Sequence, residues 1–95
     1  MSYKLDFLAE ALKEWKRLDA SVKDQFKKKL AERMVNPFVP AAKLSGSANR
    51  YKIKLRAAGY RLVYEVIESE LVVVVIAVGK RENNLVYKKA DSRRK

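Results

Sequence analysis

The stretch YKIKLRAAGYRLVYEV, residues 51–66, decides the fold. Tyr51, Ile53 and Leu55 alternate with Lys52 and Lys54, the two-residue period of a half-buried strand. Ala57-Ala58-Gly59 is a short glycine-containing connection of the hairpin kind. Tyr60, Leu62, Tyr64 and Val66 are the apolar set of the return strand, and Arg61 points the other way. One face of this hairpin therefore holds tyrosines and aliphatics. The other gathers Lys52, Lys54 and Arg61, with no carboxylate among them, and suits a polyanion.

The same reading extends in both directions. Downstream, Glu68-Ser69-Glu70 is a tight connection, and Leu71–Val78 (LVVVVIAV) is a β-branched run fit for a central strand buried on both faces. Gly79-Lys80-Arg81 ends that strand and puts Arg81 near the cationic face. The tail from Glu82 to Lys95 is basic and reads as a short helix or a mobile segment. Upstream, residues 37–50 form a loop with two prolines, in which Lys43-Leu44-Ser45-Gly46 makes a turn into the sheet. Tyr3–Phe7 (YKLDF) reads as a short strand. Leu8, Ala11, Leu12, Trp15 and Leu18 then fall on one face of a helix. Ser21 with Asp24 fits the N-cap and first-turn acid of a second helix, which presents Val22, Phe26, Leu30 and Met34 until Asn36-Pro37 stops it. The short connection favours an antiparallel helical hairpin. The expected architecture is α+β. Two N-terminal helices form a hairpin packed on a mostly antiparallel four-stranded sheet, in one domain over residues 1–95.

Charge narrows the function. Twenty-two Lys and Arg against eleven Asp and Glu give +11, an excess that favours anionic partners. With no cysteine and no histidine, thiol nucleophiles, Ser-His pairs and the usual zinc ligands are excluded. The acids are scattered, the glycines form no phosphate loop, and no cofactor or metal is expected. The N-terminal MSYKLDFLAEALKEW is amphipathic and acid-containing, unlike a signal peptide, and Leu71–Val78 is too short to cross a bilayer. A cytoplasmic protein with no membrane partner is expected.

Tyr51–Arg56 (YKIKLR), Gly59–Tyr64 (GYRLVY) and Val78–Glu82 (VGKRE) together resemble the RelE toxins of bacterial toxin–antitoxin modules. The likeness runs over nearly the whole chain, including Leu5-Asp6-Phe7, Ala11–Trp15 and Lys43-Leu44 before Gly46. It implies an endoribonuclease that cuts messenger RNA in the ribosomal A site. It also implies an acidic RelB-like antitoxin, and repression of the operator DNA through the toxin–antitoxin complex. By position, Lys52 and Lys54 match the family's paired strand lysines and Arg61 its phosphate-contacting arginine. Arg81 matches the proposed general acid. Tyr87 matches a tyrosine proposed to stack on a base or to deprotonate the 2′-hydroxyl. Ser45 departs from the pattern, standing where relatives carry an arginine before Gly46. Lys13, Lys16, Lys23, Lys27, Lys28 and Lys43 are expected to bind ribosomal or messenger RNA backbone, an affinity without sequence information. The lysines of the second helix, Lys23, Lys27 and Lys28 with Lys29, also read as a solvated helix surface.

The implied chemistry is attack of a 2′-hydroxyl on the adjacent phosphorus, which leaves a 2′,3′-cyclic phosphate. Tyrosine and lysine titrate about three units above pH 7, so holding either deprotonated costs ~4 kcal/mol unless its surroundings shift it. Converging cations weaken a lysine's hold on its proton, and lysines shift more readily than arginines. With such weak groups, positioning by the ribosome has to supply much of the rate. Two alternatives stand beside this reading: a gyrase-targeting toxin of the same fold, and a non-catalytic basic module that binds nucleic acid or the ribosome.

Overall fold

The structure is a computed structural model that describes residues 3–81 and 85–93. Glu82 of the VGKRE block and the rest of the tail reading at 83–84 and 94–95 lie outside the described residues. Four strands form one sheet in the order β1-β4-β3-β2: β1 Lys4–Phe7, β2 Arg50–Leu55, β3 Tyr60–Ile67 and β4 Val72–Lys80. β1 runs parallel to β4, and the other two pairings are antiparallel. The expected α+β class and mostly antiparallel sheet are both present.

β4 lies between β1 and β3, and its apolar run is covered on both faces. Helix α1 (Ala9–Lys16) and helix α2 (Ala20–Val35) cover one face. There Ala11, Val22, Phe26 and Leu30 pack on Tyr51, Ile53, Leu62, Tyr64, Val73 and Val75. The buried residues of α2 recur every four positions, so a single stripe meets the sheet. Trp15 joins the two helices, its ring 5.4 Å from that of Phe7 and 6.1 Å from that of Phe26. The cap of α2 differs from expectation. The helix starts at Ala20, and Asp19, in extended conformation, is its N-cap, not Ser21. The start at Ala20 places Val22 inside the first turn, on the same buried stripe as Phe26 and Leu30.

Helix α3 (Leu85–Arg93) covers the opposite face, so the tail is a docked helix over these residues. Val86 and Ala90, one turn apart, pack on Val63, Val74, Ile76 and Ala77. A β-bulge in β4 shapes this contact. The register shifts between Val63 (opposite Ala77) and Tyr64 (opposite Val75), so Ile76 is the extra residue. Ile76 and Ala77 consequently both face α3, where strict alternation would send one of them to the other side.

The hairpin turn needs its glycine. Gly59 has φ +72°, and its amide donates to the Leu55 carbonyl at 2.8 Å. Tyr64 anchors the centre of the sheet, fully buried and stacked on Tyr51 at 5.6 Å. Its hydroxyl donates to the Pro37 carbonyl and accepts from Arg33, which satisfies it fully.

Candidate active site

Strand alternation fixes the site. With Tyr51, Ile53 and Leu55 turned to α1 and α2, Lys52 and Lys54 emerge on the α3 side. Lys54 pairs across the strands with Arg61, and Arg61 lies opposite Gly79 of β4. β4 ends one residue later, and the Arg81 amide donates to the Gly59 carbonyl at 2.7 Å. That bond fixes the strand end against the hairpin turn. The result is a hollow of about 220 Å³ at the tip of the hairpin. Among the described residues, the charged ones lining it are Lys54, Arg56, Arg61 and Arg81, all cations.

Tyr87 enters from α3. Its hydroxyl accepts a hydrogen bond from an Arg61 terminal nitrogen at 2.8 Å. The guanidinium carbon lies 5.8 Å from the ring centroid, near enough for a cation–π contribution. Arg61 is thus held from one side and leaves its remaining donors for a ligand in the hollow. The Lys54 ammonium loses its proton more readily than a free lysine. The largest cause is the charge of Lys52, followed by Arg61, a little burial, Arg56 and Arg81.

Four of the five residues named as catalytic from the sequence meet here: Lys54, Arg61 and Arg81 around the hollow, and Tyr87 bonded to Arg61. Lys52 stands beside them, close enough to bias Lys54. Arg56 was missed. It starts the turn opposite Arg81, and a cation flanking a hairpin turn was a readable signal. Lys13, Lys16, Lys23, Lys27 and Lys28 do not join the site. They lie on α1 and α2, across the sheet from Arg61. Lys43 is exposed beside the edge of β2, bridged to Tyr51. The cationic face also carries a carboxylate farther along, contrary to the picture from the hairpin alone. Glu65 is nearly buried there and paired with Arg50 at 3.3 Å.

The placement of Tyr87 depends on how α3 is held. Beyond Phe7, where β1 ends, side chains take up two backbone groups of β4: Arg93 donates to the Ile76 carbonyl, and Glu14 accepts from the Val78 amide. Glu14 also accepts from Lys89 and from both terminal nitrogens of Arg93, at 2.8 to 3.1 Å. Burial raises the pKa of Glu14, but these hydrogen bonds and the Arg93 charge outweigh it, so its carboxyl titrates below its usual range. On the other flank, Arg50 of β2 reaches Asp91 of α3 at 3.1 Å.

Comparison with known proteins agrees with this geometry. A sequence model described as the ParE toxin of the type II toxin–antitoxin system parDE matches residues 5–85. The mRNA interferase toxin RelE of Escherichia coli strain K12 is 54% identical over 98% of each chain. A free E. coli RelE carrying two arginine-to-alanine changes superposes with a TM-score of 0.92, at 52% identity over the whole of both chains. The toxin chain of the E. coli RelBE toxin–antitoxin complex superposes at 0.83, with 54% identity over 86% of this chain and 100% of that one. The fold, the cationic hollow and these likenesses agree, and the chain belongs to the RelE family of type II toxin–antitoxin toxins.

Proposed function

We propose that this protein cleaves messenger RNA in the ribosomal A site without a metal, and so stops translation. The observation that carries the reading is the meeting of Lys54, Arg61 and Arg81 in one hollow, with the Tyr87 hydroxyl on Arg61. Among the described residues, the charged groups that a phosphodiester meets in that hollow are all cations, and Arg61 clamps its non-bridging oxygens. Lys54, weakened as an acid-holder by its neighbours, takes the proton of the 2′-hydroxyl. The freed oxygen attacks phosphorus, and the bond to the 5′-oxygen breaks. Arg81 faces that leaving oxygen and stabilises its charge while water gives it a proton. Lys52 supports the negative phosphorane and depresses Lys54. Tyr87 orients Arg61 and offers its ring to a base.

The remaining roles follow from charge and kinship. The chain carries +11, and an acidic RelB-like antitoxin neutralises it, as the RelBE assembly of the E. coli relative suggests. The exposed lysines of α1 and α2 hold ribosomal RNA while the hollow engages the messenger. The toxin–antitoxin complex represses its own operator, and the protein acts in the cytoplasm. Among the described residues no helix is long and apolar enough to cross a membrane.

The test is the chemistry of the ends. Cleavage by this route leaves a 2′,3′-cyclic phosphate and a 5′-hydroxyl, and a single 2′-deoxy substitution on the 5′ side of the cut abolishes it. Cleavage that survives the deoxy substitution overturns the proposed attack.

A further inference from the structure

Tyr87 stands between two concavities of different character. On one side is the cationic hollow. On the other, between the turn at Leu44–Asn49 and α3, is an open cleft of about 1190 Å³ that includes Tyr87, Arg50, Glu65 and Asp91 in its lining. Arg50 spans two carboxylates, its cross-strand partner Glu65 at 3.3 Å and Asp91 at 3.1 Å. Arg50 and Glu65 are nearly buried, whereas the Asp91 side chain is 80% exposed. Asp91 therefore has its position set by Arg50 and still has lone pairs to offer, since a carboxylate accepts about four hydrogen bonds. The turn side contributes Ser45, Gly46 and Ser47, which carry no charge.

Among the described residues, the charges lining the cleft balance, Arg50 and Arg93 against Glu65 and Asp91, so it lacks the cationic excess of the hollow. A nucleoside next to a phosphate held in the hollow reaches the cleft by passing Tyr87. Its neutral, planar base then meets an acceptor fixed on one wall. We propose that this cleft is a nucleoside subsite in which Asp91 reads the base edge, accepting from an exocyclic amino group. The proposal rests on the RNA-cleaving reading for its biological meaning, but not for its test. Cytosine and uracil differ at two neighbouring edge positions: C4 carries an amino donor in cytosine and a carbonyl acceptor in uracil, and N3 is an acceptor in cytosine and an N–H donor in uracil. A carboxylate aligned with C4 attracts the amino group and repels the carbonyl. Asp91 is a specificity residue here and takes no part in bond breaking.

The experiment compares cytidine and uridine 5′-monophosphate, titrated into the protein and followed by amide chemical shifts. The expected result is that both nucleotides move the resonances of Tyr87, Asp91 and Arg50. Cytidine monophosphate binds about fivefold tighter, the worth of one charge-assisted hydrogen bond of ~1 kcal/mol net. Asp91→Ala is expected to bring the two affinities together, and Asp91→Asn, whose amide both accepts and donates, to do the same. Asp91 also pairs with Arg50, so unchanged amide shifts at Val86 and Ala90 in both variants are the check that α3 stays docked. Equal binding in the parent, a preference that survives Asp91→Ala, or shifts confined to other surfaces each overturn the proposal. A protein that cuts no RNA but discriminates the two nucleotides through Asp91 loses the nuclease reading and keeps the subsite.

Discussion

The Arg61 guanidinium donates to the Tyr87 hydroxyl across 2.8 Å, which ties β3 to α3 at the mouth of the cationic hollow. One arginine is thereby oriented by a residue from a different element, and the two should fail together. Tyr87→Phe keeps the ring and removes the acceptor, and is expected to lower messenger cleavage about tenfold. Arg61→Ala removes the clamp and costs on the order of a hundredfold or more. The double variant should be little worse than Arg61→Ala alone. Single-turnover cleavage rates for the three variants decide this, and additive losses would show that the two residues act separately.

Lys54 is expected to carry the pH dependence of the proposed cleavage. Its folded pKa lies below the usual lysine value, chiefly because Lys52 is charged beside it. As a base, Lys54 makes the rate rise with pH until it is deprotonated. Lys52→Ala removes the largest cause, so Lys54 holds its proton to higher pH and the rising limb moves up. High salt screens the same repulsion and moves the limb in the same direction. A pH–rate profile that does not move in Lys52→Ala assigns the base elsewhere.

Glu14 controls the docking of α3. Its pKa is lowered on folding, so the unfolded chain binds its proton more tightly than the native one. Its stabilisation is complete above the unfolded carboxyl range and is lost as pH falls through the lower folded value. Glu14→Gln should cost about 2 kcal/mol at pH 7, since Arg93 is left mostly buried with only the exposed Glu10 carboxylate opposite it. The difference from the parent should vanish in acid. Denaturant melts of both proteins at pH 7 and below pH 4 check this.

Gly79 of β4 lies close beneath α3. A Cβ there meets the Val86 Cγ2 methyl at 3.3 Å, so Gly79→Ala pushes α3 outward by a few tenths of an ångström. The expected stability loss is ~1 kcal/mol, with a larger fractional loss of cleavage because Tyr87 moves with the helix. Val86→Ala should restore part of the activity of Gly79→Ala. No rescue would show that the loss arises within β4.

The hairpin and the central strand were legible because alternation and β-branching act locally. The site followed from them, as Lys54 and Arg61 face each other whenever Leu55 and Tyr60 flank the turn. What stayed hidden depends on distant partners. The bulge at Ile76 leaves no mark in an unbroken apolar run, and it is the bulge that turns Ile76 and Ala77 together toward α3. The tail reads as weakly apolar because, among its described residues, only Val86 and Ala90 are buried. Its docking comes from ion pairs to Glu14 and Arg50, 75 and 41 residues away in sequence. Asp19, rather than Ser21, caps α2 because the preceding strand and helix set where the chain re-enters.

The most direct measurement is cleavage of a short messenger on ribosomes programmed with an empty A site, beside the same RNA free in solution. The proteins are the parent, Arg61→Ala and Arg81→Ala. The account predicts cutting by the parent on ribosomes, little or none of free RNA, and loss in both variants with the fold intact by circular dichroism. Cutting that persists in both variants, or a folded parent that cuts neither RNA, would contradict it.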